Sequence, residues 1–260
     1  MYSSWFIRRT LEITGNTVLI TGGATGIGFA LAEALLNEGN EVVICGRRKY
    51  KLQEAKRKLP GLHIKRFDVA KESERERLFR WVTSNFSDIN ILINNAGIQR
   101  QVDFASSNIT KAVPFKDDEV AVNLVAPIRL SAVFTPTLMK RKKAAIVNIS
   151  SGLAFVPIAM MPVYCATKAA IHSFSISLRH QLRDTSIRVF EAAPPATDTE
   201  LDRSFAGEQD GYRGISPQEV AAAIIKGMKA GTEEIIIGQA RGLYESAVRN
   251  SKAKFTEMNS

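Results

Sequence analysis

A glycine-rich turn between a short apolar run and a helical stretch constrains this chain more than any other feature. Thr17–Thr21 (Thr-Val-Leu-Ile-Thr) has the β-branched, apolar character of a strand buried on both faces. Gly22-Gly23-Ala24-Thr25-Gly26-Ile27-Gly28 follows at once. Residues 29–38 then read as a helix closed by Gly39, and residues 41–45 as the next strand. Strand, glycine turn, helix and strand make the first unit of an α/β sheet. Glycines suit such a turn because backbone must pass close to a bound pyrophosphate while the helix N-terminus faces it. The spacing, Gly22 then Gly26 then Gly28, is not the tighter G-x-G-x-x-G fingerprint. A tight strand-to-helix turn that holds no ligand would read the same way.

The alternation continues along the chain. Helical stretches at 49–59, 71–86, 113–139, 163–182 and 217–230 interleave with strand-like runs at 64–67, 89–93, 144–150, 186–192 and 233–237. A last helix is expected over 242–248. Ser216-Pro217-Gln218-Glu219 has the form of a capping box with Pro at the first helical position. The expected fold is α/β: a single Rossmann-like domain over residues 1–260, a doubly wound parallel sheet of about seven strands with helices on both faces. Residues 1–13 read as an N-terminal extension, 200–214 as a mobile substrate flap, and 250–260 as a frayed tail.

Composition matters for what it excludes. No uninterrupted apolar run approaches the ~18 residues of a membrane span, and the N-terminus lacks the apolar core of a signal peptide. Two cysteines, Cys45 and Cys165, are too few for a disulfide framework, so a cytoplasmic location is expected. The net charge of +9 would attract an anionic ligand. Its basic residues are scattered, however, and the one dense run, Lys140-Arg141-Lys142-Lys143, follows a helix, where dipole and solvent favour cations. Neither a nucleic-acid partner nor a metal site is expected.

Ligands on a doubly wound sheet bind beyond the carboxyl ends of the strands. Just past those ends lie the glycine turn, Arg47, Asp68-Val69, Asn94-Asn95-Ala96-Gly97, Ser151 and Pro194. The second strand ends Cys45-Gly46-Arg47-Arg48. An acidic residue there would hold ribose hydroxyls and repel a 2′-phosphate, whereas guanidinium groups grip one, which favours NADP over NAD. An arginine pair opening a surface helix is the other reading. Helix 163–182 carries Tyr164-Cys165-Ala166-Thr167-Lys168, with Tyr and Lys four apart on one face. A free phenol titrates near pH ~10, and a nearby ammonium favours its ionised form. Tyr164 is therefore a candidate proton donor and acceptor at neutral pH, although a pair at this spacing also arises by chance.

Taken together, these residues resemble the short-chain dehydrogenase/reductases of the compact single-domain branch, over roughly residues 14–240. In that resemblance Gly22, Thr25, Gly26, Ile27 and Gly28 form the cofactor turn, and Asp68 and Val69 meet the adenine. Asn95, Ala96 and Gly97 belong to a sheet-stabilising motif beside the cofactor, and Pro194, Thr197 and Thr199 adjoin the nicotinamide. Asn123, Ser151, Tyr164 and Lys168 match the four catalytic positions. The stretch Ala193-Pro194-Pro195-Ala196-Thr197-Asp198-Thr199-Glu200-Leu201 is similar to a bacterial subgroup of DltE-like oxidoreductases. Two residues depart from the family pattern: Pro195 stands where Gly is usual, stiffening the turn and removing an N–H, and Thr197 stands where an aliphatic residue is usual.

The resemblance implies an NADP(H)-dependent oxidoreductase that moves hydride reversibly between nicotinamide and a carbonyl or secondary alcohol, with Tyr164 as general acid and base. Ser151 would orient the carbonyl, and Lys168 would hold ribose hydroxyls. Asn123 would hold a proton-passing water if its helix is locally distorted. A homodimer or homotetramer is implied. Ile98, Gln99, Leu153, Phe155, Met160, Met161 and the flap would form an apolar wall for a small, hydrophobic substrate, with plain core packing as the alternative for Phe155 and the two methionines. An NADP(H)-binding sensor or scaffold without chemistry is the rival reading. A sugar-nucleotide epimerase is disfavoured by the short chain after Pro195.

Overall fold

The computed structural model describes residues 11–105, 118–203 and 214–258. Its strands are Thr17–Thr21 (β1), Glu41–Gly46 (β2), His63–Arg66 (β3), Ile89–Asn94 (β4), Ala144–Ile149 (β5), Ile187–Ala193 (β6) and Glu234–Ile236 (β7). All pair in parallel, in the order β3-β2-β1-β4-β5-β6-β7. The order changes direction between β1 and β4. Chains leaving those two strands therefore diverge and open a crevice at the carboxyl edge. This is the doubly wound α/β sheet expected, with seven strands.

Among the described residues the longer helices are Gly26–Asn37 (α1), Lys49–Lys58 (α2), Glu72–Asn85 (α3), Ala126–Leu138 (α4), Pro162–Leu182 (α5), Pro217–Ala230 (α6) and Ala240–Met258 (α7). Side-chain alternation along each strand divides the core in two. Val18, Ile20, Val42, Ile44, Ile91 and Ile93 pack with Leu31 and Leu35 of α1 and Val220 and Ile224 of α6. Leu19, Val43, Leu92 and Ile146 pack with Leu78 and Val82 of α3, Leu130 and Phe134 of α4, and Leu178 of α5. Both faces of the central sheet are covered, which is why β1, β2 and β5 carry near-continuous apolar runs, while the edge strand β3 is mostly exposed. The expected capping box of α6 forms: Ser216 Oγ accepts from the Glu219 amide (3.1 Å) and the Glu219 carboxylate accepts from the Ser216 amide (2.8 Å).

Three segments differ from the sequence expectation. The helix expected over 113–139 has its first residues outside those described. The part described passes through a π-helical turn, Ala121–Val125, before α4 begins. A π turn admits one extra residue and turns a side chain out of register. Here Asn123 is the residue turned, and its amide grips a neighbouring loop. Ala121–Leu138 is also long and apolar enough to be weighed as a membrane span. It buries Ala126, Leu130, Phe134 and Leu138 within the fold, with the Phe134 ring edge-on to Phe79 at 5.1 Å. Finally, α7 runs to Met258, through a non-helical residue at Asn250, where the sequence suggested a helix over 242–248 and then a frayed tail. Lys252, Ala253, Lys254 and Glu257 are strong helix formers, which accounts for the continuation. Of the expected flap, Glu200–Arg203 is a short helix. Residues 204–213, like 1–10 of the extension, lie outside the described residues.

Candidate active site

The glycine turn is shaped by close approach. Gly22 has φ +66°, and a Cβ on it would lie 2.9 Å from the Ala96 Cα. A Cβ on Gly28 would lie 2.4 Å from both the Asn95 side-chain nitrogen and the Gly22 carbonyl oxygen. Thr21 Oγ1 accepts from the amides of Asn95 (3.0 Å) and Ala96 (3.1 Å). Asn95 Nδ2 in turn donates to the carbonyls of Thr21 (3.0 Å) and Gly22 (3.2 Å). The ends of β1 and β4 are thereby stitched together on either side of the crevice. α1 begins there, and its N-cap residue Thr25 makes no side-chain capping bond. The first-turn N–H groups of α1 are orphan donors of the kind that bind phosphate.

Above this turn opens a cavity of about 1140 Å³. Its lining includes Gly22, Thr25, Gly26, Ile27, Arg47, Asp68, Val69, Asn95, Ala96 and Gly97, then Ser151, Tyr164, Lys168, Pro194, Thr197 and Thr199. Two expected residues do not reach it. Gly28 sits beneath the turn, where its lack of a side chain lets Asn95 and Gly22 close. Asn123 is buried, and its side chain bonds to protein on both sides. The size of the cavity, the missing Cβ atoms at its floor and the row of polar groups along it fit an elongated dinucleotide.

At one end of the cavity three cations converge. Arg47 and Arg48 follow β2, and Lys51, on the first turn of α2, joins them in the lining. Sequence reading named the arginines and missed the lysine. Arg48 Nη1 lies 2.8 Å from Glu200, which also accepts from Lys51 at 2.7 Å. That bond to Lys51, with Arg48 adding to it, holds the Glu200 carboxyl below the usual carboxylate range. Asp68 Oδ1 is occupied locally, accepting from the Ala70 amide at 3.1 Å, while the Asp68 amide donates to Glu74.

At the other end, α5 supplies Tyr164 and Lys168. Both are buried, and the Lys168 Nζ stands 5.5 Å from the centre of the Tyr164 ring. The ammonium donates to the Ile149 carbonyl at 2.8 Å. Burial pulls the Lys168 ammonium down to about 8, against an opposing pull from the Glu191 carboxylate. Ser151 opens a short 3₁₀ turn, Gly152–Ala154, and its Oγ accepts from the Leu153 amide at 3.1 Å. Asn123 donates to the Ile98 carbonyl (2.7 Å) and to Thr167 Oγ1 (3.2 Å), and accepts from the Ile98 amide (2.9 Å). Gly97 lies between Asn123 and Lys168: a Cβ on it would sit 3.6 Å from Asn123 Oδ1 and 3.7 Å from Lys168 Nζ. Asn123, Ser151, Tyr164 and Lys168, from three separate segments, thus converge at one edge of the sheet.

The remaining wall is mostly apolar. Ile98, Gln99, Leu153, Met160 and Met161 line the cavity, with Ile158 and Leu243, which the sequence did not single out. Phe155 does not. Its ring packs edge-on between His172 and Tyr244, both at 5.0 Å, so it belongs to the packing of α5 against α7. The Pro194 carbonyl accepts from the Gly152 amide at 2.9 Å, and Thr197 Oγ1 donates to the Pro195 carbonyl at 2.9 Å. The hydroxyl at Thr197 therefore braces the turn that Pro195 stiffens.

Comparison with known proteins bears on the family and the fold. A sequence profile of the short chain dehydrogenases matches residues 16–210. The oxidoreductase DltE of Bacillus subtilis is 49% identical over 250 residues, covering 96% of this chain and 98% of the relative. A short chain dehydrogenase from Burkholderia cenocepacia, solved in complex with NADP, superposes with a TM-score of 0.81 at 26% identity, over 96% of this chain and 100% of that one. A short chain dehydrogenase/reductase from Burkholderia phymatum, solved in complex with NAD, superposes at 0.79 with 20% identity, over 96% and 97% of the two chains, and bears on the fold alone.

Proposed function

The chain belongs to the short-chain dehydrogenase family, and from that premise we propose that it is an NADP(H)-dependent oxidoreductase interconverting a carbonyl compound and a secondary alcohol. The reading rests on one observation above the others: a buried phenol and a buried ammonium, one helical turn apart, at the same cavity edge as a glycine turn built for close approach. When bound, the nicotinamide dinucleotide supplies or accepts the hydride. The protein handles the proton and the geometry. In reduction Tyr164 donates its hydroxyl proton to the carbonyl oxygen, and in oxidation the phenolate takes it back. Lys168 in its ammonium form favours the phenolate and would hold the ribose hydroxyls. The Ser151 hydroxyl orients the carbonyl and stabilises charge as it develops on oxygen. Asn123 fixes the 98 loop against α5, and the π turn that turns it inward supplies the local distortion a proton-carrying water at this helix would need.

Preference for NADP over NAD is supported by Arg47, Arg48 and Lys51 at the cavity end, where guanidinium and ammonium groups suit a 2′-phosphate. The Burkholderia cenocepacia protein, similar over its whole length, binds NADP. Leu153, Ile158, Met160, Met161 and Leu243 favour a substrate with an apolar body. Val133 on α4 and Ile176 on α5 are exposed apolar residues suited to an assembly of two or four copies.

Replacing Tyr164 with Phe tests the chemistry. Stopped-flow NADPH oxidation against a panel of aldehydes and ketones should fall by about 10²–10⁴-fold on the best substrate of the native enzyme. A variant that keeps most of the turnover would refute the acid role.

A further inference from the structure

Behind the catalytic edge a row of polar side chains crosses the sheet at one level. Asn94 on β4 is the register partner of Asn148 on β5, and Asn148 is the partner of Glu191 on β6. All three are buried. Asn94 Nδ2 donates to Ser131 Oγ (3.2 Å) and to Asn148 Oδ1 (2.9 Å), and Asn148 Nδ2 donates to Ser175 Oγ on α5 (2.9 Å). Glu191 is the last buried member of the row, its register partner on β7 being the half-buried Glu234. Glu191 is 2% exposed, accepts from His172 Nδ1 through Oε2 at 2.8 Å, and has no hydrogen-bond partner for Oε1 among the described residues.

A carboxylate buried this deeply with one oxygen unsatisfied is costly, so its retention calls for a reason. Its surroundings supply one. His172 stands one turn beyond Lys168 on α5, so the two side chains share a face. The Lys168 ammonium is anchored to the carbonyl of Ile149, the residue next to Asn148, and Ile149 pairs in register with Ala192, the residue next to Glu191. The buried Lys168 ammonium on α5 and the buried Glu191 carboxylate on β6 are therefore brought together from two sides, through His172 on the helix face Lys168 shares and through the pairing of β5 with β6.

We propose that Glu191, held by His172, is a positioning residue for the reaction: it is the buried counter-charge that keeps Lys168 an ammonium and so keeps Tyr164 beside a cation. The proposal rests on the catalytic reading of Tyr164 and Lys168 given above. The direction of the pull fits, since Glu191 opposes the fall that burial imposes on Lys168. The other charged or titratable groups facing this pair are Tyr164, Arg179 and Glu234. Tyr244 is reached only through the Phe155 ring. Arg179 pairs with Glu233 (3.5 Å) and Glu234 (3.2 Å) and is committed to them.

The test reads Lys168 directly and needs no substrate. Lysine labelled with ¹³C at Cε is followed by NMR across pH in the full chain, and the Lys168 signal is assigned by its loss in Lys168→Met. In Glu191→Gln the Lys168 midpoint should fall by about half a unit or more, while Glu191→Asp should restore most of the native value. His172→Gln leaves the carboxylate charge uncompensated, and His172→Arg neutralises it at every pH. The midpoint should accordingly be higher in His172→Gln than in His172→Arg. An unchanged midpoint in folded Glu191→Gln overturns the proposal. Should that variant not fold, equal midpoints in the two His172 variants overturn it instead. Turnover by Tyr164→Phe fails separately, because it addresses the role of the phenol and not what charges the lysine.

Discussion

His172 carries a stability signature that follows from its partner. Its hydrogen bond to Glu191, with the charge of that carboxylate behind it, raises the imidazole above its ordinary value against the opposing effect of burial. A group raised on folding holds its proton more tightly in the native state than in the unfolded one. Its contribution is complete below the unfolded value, near pH ~6.5, and disappears as the pH climbs through the raised native value. Replacing His172 with Gln should therefore cost more stability at pH 6 than at pH 9, read as the difference in urea midpoint between variant and native protein at each pH. Equal losses at the two pH values would mean that the imidazole enters the native state without a charge. The native rotamer also matters, because the same ring packs edge-on to Phe155. A loss at pH 9 measures that packing, and only the increment at pH 6 measures the ion pair.

Among the elements, the turn from β1 into α1 is the least tolerant of added atoms. A Cβ at position 28 would meet Asn95 and the Gly22 carbonyl at 2.4 Å, and neither can yield freely, because each takes part in the stitch between β1 and β4. Gly28→Ala should lower stability by about 1–3 kcal/mol and weaken dinucleotide binding with it. Gly242 is the control, since a Cβ there meets nothing within 4 Å and the residue lies in α7. Gly242→Ala should be neutral or stabilising by up to about 1 kcal/mol in the same urea titration. If both substitutions cost the same, the close approach at Gly28 has been misjudged. This turn was legible in the sequence because its cause is local: glycines between an apolar run and a helix allow few backbone paths. The strand ends were legible for the same reason, and with them Arg47, Asp68, Ser151 and Pro194, while the four-residue spacing of Tyr164 and Lys168 marked one helix face. The π turn was not, since the contact that shapes it joins Asn123 to Ile98, 25 residues away. Lys51 looked like any cation on a charged helix until α2 folded back beside β2. Glu191 and His172 meet only where β6 packs under α5, and no periodicity in either segment announces the pair.

At the scale of the molecule, the sheet is two halves joined at one seam. β3, β2 and β1 lie on one side and β4 to β7 on the other, with the β1–β4 ladder between them. The candidate cofactor cavity runs across that seam, from Arg47, Arg48 and Lys51 behind β2 to Tyr164 and Lys168 beyond β5. A ligand filling it would touch both halves and would bind the folded chain alone. At a concentration 100 times its Kd such a ligand stabilises by about 2.7 kcal/mol. For a chain of this size that corresponds to a rise in Tm of roughly 5–10 °C. Two of the three cations at the far end are already engaged without it, because Glu200 bridges Arg48 and Lys51. A 2′-phosphate entering there must take those cations from a carboxylate, and its greater charge and its three acceptor oxygens favour the exchange. NAD⁺ has no group to make it. Differential scanning fluorimetry with NADP⁺ and NAD⁺ at equal concentration should therefore show the larger shift for NADP⁺, with the gap narrowing as salt screens the exposed pairs. Equal shifts would remove the phosphate from the account, and no shift with either would remove the dinucleotide.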